Sequence, residues 1–162
     1  MEVSDELKNK AIANGLCEQW TNEWSNEETL DSLCEKYVKG IDFCIDNDYP
    51  SCQYMKEHFD GVMQKHGIYV SDMFKLRDIK KLIINGVSIG EVTYDKFNVG
   101  RIYLRHSSFL KLSVKDCAKV FISTYDSVNL DVTDCDMDAK LYISNHGGTI
   151  KYDKNNKNII VR

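Results

Sequence analysis

From Leu82 onward the chain repeats every ten residues: Leu82, Val92, Ile102, Leu112, Ile122 and Val132 stand at that interval without exception. Leu110, Val120 and Leu130 precede the later members by two positions, and Ser113, Ser123 and Thr133 follow by one. The segments His106–Ser113, Asp116–Ser123 and Asp126–Thr133 each read as a polar turn followed by alternating apolar and polar residues. Such alternation describes a short strand with one buried face. The fixed longer period means stacked units sharing one core, because a unit this small cannot bury its apolar face alone. After Val132 the rhythm slips by one residue. It resumes at Leu141 and Ile143 and continues at Ile150, Tyr152, Ile159 and Val161, for about nine strands in all.

Two foldings fit this pattern. In one, two units of ten make a solenoid coil of about twenty residues; in the other, the strands form an antiparallel meander. Tight hairpins favour Asn-Gly, Asp-Gly or Gly-Gly. Asn85-Gly86 and Gly147-Gly148 qualify, but the central turns are Ser-Ser, Asp-Cys and Asp-Ser. The recurring hydroxyls Ser113, Ser123 and Thr133 would stack as a ladder in a solenoid, which favours that reading.

The first part of the chain reads as helices. Ser4 or Asp5 can cap a first helix running to about Trp24, with Leu7, Ala11, Leu16, Cys17, Trp20 and Trp24 as its apolar side; Gly15 weakens it and is a candidate break. Ser25 with Glu28 three residues on is a capping-box signature. The helix it opens carries Leu30, Leu33, Cys34, Tyr37, Val38, Ile41, Cys44 and Ile45 and ends near Asn47. Pro50 suits the first turn of a third helix through Tyr54, Met55 and Phe59, with Val62 and Met63 as its extension, and Gly67–Ser71 reads as a connecting strand. The expectation is an α+β protein. A helical subdomain of about three helices (residues 1–72) packs on a β-solenoid-like stack of decapeptide strands (residues 73–162), with the meander as the alternative.

Composition narrows the function classes. No apolar run approaches the roughly 18–20 residues that span a bilayer, and the acidic start Met1–Glu6 has no apolar h-region. A soluble protein of the cytoplasm is expected, with no membrane partner. The six cysteines, Cys17, Cys34, Cys44, Cys52, Cys117 and Cys135, contain no C-x-x-C pair, so they read as reduced thiols, and no metal or cofactor is expected. Charge is uneven. Residues 1–72 hold six Lys/Arg against fifteen Asp/Glu, or −9, while residues 73–162 hold fifteen against ten, or +5. Such asymmetry points to a partner-facing surface.

Individual motifs add little chemistry. Asp134, Asp136 and Asp138 place three carboxylates in one turn but lack the glycine and distal glutamate of an EF-hand loop. Arg105-His106-Ser107-Ser108 groups a cation, an imidazole and two hydroxyls. Yet His106 occupies the turn slot that Asp116 and Asp126 fill in the next units. His146-Gly147-Gly148 lacks phosphate-loop spacing and reads as a turn. No catalytic residues are assigned. Trp20, Trp24, Tyr37, Phe43, Tyr49 and Tyr54 cluster in the acidic half, with Trp24 and Tyr49 expected to be the exposed ones. With Glu27, Glu28 and Asp31 they form the candidate partner-binding patch.

The run Cys34–Cys44, then Asn47–Ser51 and Glu57–Gly61, resembles an uncharacterised family of proteins from phages and mobile elements of Bacteroidota. The later Arg101–Ser107 segment, followed by strand units, is similar to that family too, and the resemblance covers about residues 15–148. It implies a phage or mobile-element origin and no particular activity. The expected function is therefore non-enzymatic binding of a host macromolecule. By analogy with small accessory phage proteins, its sharper form is anti-CRISPR-like inhibition of a nucleic-acid-binding nuclease complex. Contact would run through protein and not directly through nucleic acid, and a homodimer remains open. Two alternatives stand beside it: a virion or assembly component that self-associates through the repeats, and a glycan-processing β-helix enzyme, which would need paired carboxylates in a cleft.

Overall fold

The computed structural model describes residues 2–25 and 27–162. The chain divides into two compact units between His66 and Gly67.

Among its described residues the first unit holds five helices: α1 (Val3–Ala13), α2 (Glu18–Glu23), α3 (Leu30–Lys39), α4 (Ile41–Asn47) and α5 (Cys52–Phe59), followed by a 3-10 turn at Met63–His66. The expected count of three is corrected at two glycines. Gly15 takes φ +91°, a left-handed conformation that ends α1 before the tryptophans. Gly40 separates α3 from α4, donating its N–H to the Lys36 carbonyl at 2.8 Å.

The expected box at Ser25 is also corrected. Ser25 N–H donates to Glu28 Oε1 (3.0 Å) and Glu27 N–H donates to Ser25 Oγ (3.2 Å), but these close a turn. The helix opens at Thr29. Its Oγ1 accepts from Ser32 N–H (3.1 Å), while Ser32 Oγ accepts from Thr29 N–H (2.8 Å). Pro50 likewise lies before α5 and not in its first turn; the cap is Ser51, which accepts from Tyr54 N–H at 3.2 Å. Val62 and Met63 lie beyond the end of α5 at Phe59.

The second unit is a parallel solenoid. Its strands are β1 (Ile68–Val70), β2 (Met73–Arg77), β3 (Lys81–Asn85), β4 (Ile89–Tyr94), β5 (Val99–Leu104), β6 (Phe109–Val114), β7 (Lys119–Thr124), β8 (Asn129–Cys135), β9 (Lys140–Asn145), β10 (Thr149–Lys151) and β11 (Ile159–Val161). Odd-numbered strands form a six-stranded sheet and even-numbered strands a five-stranded one. Every pairing is parallel, which decides for the solenoid over the meander. The segment expected as a mere connector, β1, is an edge strand of the larger sheet.

The ten-residue period is half a coil. Leu82, Ile102, Ile122, Ile143 and Val161 stack in register in one sheet, and Leu76, Val92, Leu112 and Val132 stack in the other. These columns meet in one core, in which Leu82, Val92, Ile102 and Leu112 have no exposed surface. Where a larger ring must fit, the column narrows. Tyr94 lies where a Cβ on Gly100 would come within 2.2 Å of its ring, and its hydroxyl donates to the Ile79 carbonyl at 2.7 Å.

The hydroxyl ladder is corrected by the same geometry. Ser113 and Ser123 lie in different sheets, so the stacked pairs are Thr93 with Ser113 and Ser123 with Ser144. The one-residue slip after Val132 is a bulge: Leu112 pairs with Val132 but Ser113 with Asp134, leaving Thr133 unmatched. Its Oγ1 donates to the Leu112 carbonyl at 3.2 Å.

The corners explain the polar turn residues. Lys96, His106, Asp116 and Asp126 all take left-handed φ values of 53–61°, where Asp and Asn are the least disfavoured non-glycine residues. The Asp and His corners also accept from the coil before them. Asp116 Oδ2 takes Lys96 N–H (2.9 Å), Asp126 Oδ2 takes His106 N–H (2.9 Å) and Asp136 Oδ2 takes Asp116 N–H (2.8 Å). His106 fills the same slot, its Nδ1 accepting from Gly86 N–H at 3.0 Å.

Three outcomes test this account by denaturant unfolding. Ile122→Asp, which buries an unpaired carboxylate, should cost several kcal/mol, against about 0.5 kcal/mol or less for the outward Asp131→Asn. Thr29→Ala should cost about 1 kcal/mol and Ser25→Ala clearly less. Asp116→Ala loses a corner acceptor and should cost about 1 kcal/mol, which Asp116→Asn largely retains; equal stability of those two would contradict the corner ladder.

Candidate functional site

The helical unit contains a cavity of about 360 Å³. Leu7 and Ala11 of α1 form one side, Leu33 and Tyr37 of α3 and Phe43 and Cys44 of α4 form another, and Tyr49 and Pro50 close it. Gly15, Leu16, Cys17, Trp20 and Trp24 complete the lining, with Lys36, Lys39 and Asp42 as its charged members. Helix α2 buries no residue and has no side-chain cap, and its Trp20, with Trp24 just past its end, borders the cavity half-buried. Both tryptophans of the chain line this one cavity.

Its walls are fixed by polar contacts. Trp24 Nε1–H donates to Ser4 Oγ at 2.9 Å, and Lys8 Nζ donates to the Trp24 carbonyl at 3.2 Å. Lys36 Nζ stands 5.9 Å from the Trp24 ring centroid and 3.3 Å from Glu28 Oε1. The Tyr49 hydroxyl donates to the Leu7 carbonyl, and its ring meets Phe43 edge-on at 6.2 Å. Burial pushes the Tyr49 phenol well above its ordinary range. The expectation that Tyr49 is exposed is thus corrected: its hydroxyl is used to tie the Asp48–Pro50 bend to α1.

The candidate residues separate. Trp24 and Tyr49 come together at the cavity, whereas Glu28 reaches it only through Lys36. Burial alone would raise the Glu28 carboxyl, but hydrogen bonds from Ser32, Ser25 N–H and Lys36 hold it below the usual carboxylate range. Asp31 accepts from, or pairs with, His66 Nε2 at 2.8 Å, and Glu27 lies exposed in the turn before α3. The expected apolar side of the first helix, Leu7, Ala11, Leu16, Cys17, Trp20 and Trp24, lines this cavity throughout, although the helix breaks at Gly15. Sequence reasoning did not single out Lys36 or Lys39.

The other motifs take structural places. Asp136 serves the corner ladder and Asp134 Oδ2 accepts from Ser113 Oγ at 3.5 Å. Among the described residues no group of three or more His, Cys, Asp or Glu is placed to hold a metal ion. His146-Gly147-Gly148 is a turn in which a Cβ on Gly147 would meet the Asp126 backbone at 2.8 Å. All six cysteines are free thiols. Burial, with Asp31 and Glu35 nearby, pushes Cys34 up to about 11. Among the described residues no helix is long and apolar enough to cross a membrane.

An apolar, aromatic-walled cavity edged by two cations and a carboxylate can hold an apolar group and orient it by its polar neighbours. Neither a family model nor a curated protein nor a solved structure matches the chain.

Two measurements probe the site. With alkylating agent at mildly alkaline pH, exposed Cys17 and Cys117 should react at once, and buried Cys34 and Cys44 only on unfolding. A cavity occupant should protect Cys17 and leave Cys117 reactive. The lowered Glu28 carboxyl stabilises the fold above its unfolded value near 4.5, and that contribution is lost as pH falls through the folded value. Glu28→Gln should therefore lower the melting temperature at pH 7 and make it less sensitive to acid below about pH 4.5.

Proposed function

We propose that this is a non-enzymatic binding protein of phage or mobile-element origin whose helical unit takes an apolar side-chain anchor of a basic host-protein segment. The cavity carries the reading. Hot spots of protein interfaces are buried aromatic or apolar anchors seated in pockets and ringed by weaker contacts. The unit around this pocket is acidic: residues 1–66 hold fourteen Asp/Glu and six Lys/Arg, a balance of −8. That charge favours a basic partner and speeds its encounter. The segments that resemble the phage family supply much of the wall, through Gly40, Asp42, Phe43, Cys44, Tyr49 and Pro50. A nuclease that holds nucleic acid in a basic channel presents the surface chemistry this unit fits, so inhibition of a host defence nuclease is the specific form of the proposal.

The test compares variants for capture from host extract. Leu16→Trp adds bulk at the cavity wall, and Glu18→Lys with Glu23→Lys reverses two exposed charges beside its lining. Leu16→Trp should abolish capture of the species held by the native protein, and the double reversal should slow its association. Both effects should fall on one captured protein, and its binding should weaken as salt rises from about 0.1 M to 1 M, where the Debye length drops from about 10 to 3 Å. Undiminished capture by folded Leu16→Trp would remove the cavity from the interaction.

A further inference from the structure

We infer that β2, an edge strand of the five-stranded sheet, takes an extended acidic segment of another protein as an added strand. β2 (Met73–Arg77) pairs with β4 and stands at the end of the sheet order. Its ladder is pinned at both ends. Ile89 N–H donates to the Asp72 carbonyl at 2.9 Å, and Asp78 N–H donates to the Thr93 carbonyl at 3.0 Å. In a parallel pair every second residue of a strand bonds the same neighbour, so Phe74 and Leu76 bond β4 as well. The main chains of Met73, Lys75 and Arg77 therefore face away from β4, and among the described residues no main-chain group pairs with them. An open edge of this kind is a template for a further strand.

The side chains of β2 are as incompletely covered as its backbone. Inward Phe74 and Leu76 pack on the core yet stay half-buried, whereas Leu110 and Leu112, their counterparts two strands on, are fully buried. The Phe74 ring lies where a Cβ on Gly90 would come within 2.3 Å, and it stands 4.5 Å from the Tyr69 ring. A strand with apolar residues opposite Phe74 and Leu76 completes this layer. On the outer side Met73 is 83% exposed, and the Lys75 and Arg77 side chains are 79% and 60% exposed.

Charge selects the occupant. The outward row Lys75, Glu91, Lys111, Asp131 and Lys151 alternates in sign at every step. Opposite charges across neighbouring strands stabilise a sheet, and like charges destabilise it. Lys75 ends that row with Glu91 on one side at 3.7 Å, and Arg77 pairs with Asp95. A strand laid on the open side meets both cations, and continued alternation calls for Asp or Glu there. A second copy of this chain does not supply it. Among the described residues none of the edge strands β1, β2, β10 and β11 contains an acid. Laid parallel on β2 with Ile150 over Phe74 or Leu76, β10 would set Lys151 against Lys75 or Arg77. The partner is thus a foreign segment in which apolar residues alternate with Asp or Glu, and its surface belongs to the other unit from the cavity.

The test titrates the full chain into a short fluorescein-labelled peptide, blocked at both ends, in which valine and glutamate alternate, read by anisotropy. Saturable binding that weakens with salt is expected, and much weaker binding of the same peptide with lysine for glutamate. Lys75→Gln with Arg77→Gln should weaken binding about five- to tenfold. Lys151→Gln, at the far end of the same row, should alter it less than about twofold. Met73→Pro removes an N–H from the open edge, leaves the bonds to β4 and both cations in place, and should weaken binding about threefold or more. Melting curves establish that each variant is folded. No binding of the glutamate peptide by the native chain, equal binding of the lysine peptide, equal loss from Lys151→Gln, or undiminished binding by folded Met73→Pro would overturn the inference. Sedimentation showing a dimer that the peptide does not dissociate would assign the edge to a second copy and overturn it too.

Discussion

Parallel pairing of residues about twenty apart is the contact on which the solenoid depends. It lays each inward residue on its counterpart in the next coil, so Leu82, Ile102, Ile122 and Ile143 form one apolar column. It also pairs the backbone N–H and C=O groups of the interior strands, which could not be buried otherwise. A slip of one residue would turn every inward side chain out. The bulge at Thr133 shows how strictly this holds. The extra residue is expelled from the ladder and the core column resumes unbroken at Leu141 and Ile143.

The same register governs everything outside the core. At His106, Asp116 and Asp126 the corner residue both bends left-handed and accepts an N–H of the preceding coil, a pair of roles that a carboxylate or an imidazole can fill; Lys96 bends without accepting. Outward residues become rows, so the composition of a row turns into a property of a face. On the five-stranded sheet a row is neutralised step by step, and on the other sheet Arg101, Phe121 and Tyr142 stack over one another. The helical unit follows another logic. Its helices are short, α3 and α5 carry side-chain caps whereas α1, α2 and α4 do not, and the poorly buried α2 borders the cavity.

Local chemistry misled where two acceptors compete for the same role. Ser25 N–H does donate to Glu28, yet the Ser25 hydroxyl accepts from Glu27, Glu28 is also drawn to Ser32 and Lys36, and the helix begins where Thr29 and Ser32 cap each other. Gly15 and Gly40 sit inside apolar rhythms that run through both of them, so periodicity alone joined helices that the backbone separates. Tyr49 looked exposed because its neighbours are polar and a proline. Its burial depends on the Leu7 carbonyl, forty-two residues away. At the site, the apolar side that joins Leu7, Ala11, Leu16 and Cys17 to the tryptophans was legible, but the addition of Lys36 and Lys39 to the same wall was not.

By itself the sequence determined a stack of short strands, their ten-residue spacing, the place of the irregularity after Val132 and the turn role of His106. Those are consequences of local alternation and of a repeat that recurs on the chain itself. Tertiary structure alone decided which units are neighbours. Once consecutive tens fall on opposite sheets, Ser113 and Ser123 part company, and Lys119 comes to lie against Lys140. Whether two charges repel, or two rings enclose a space, depends on distance after folding, and no interval along the chain encodes that distance directly.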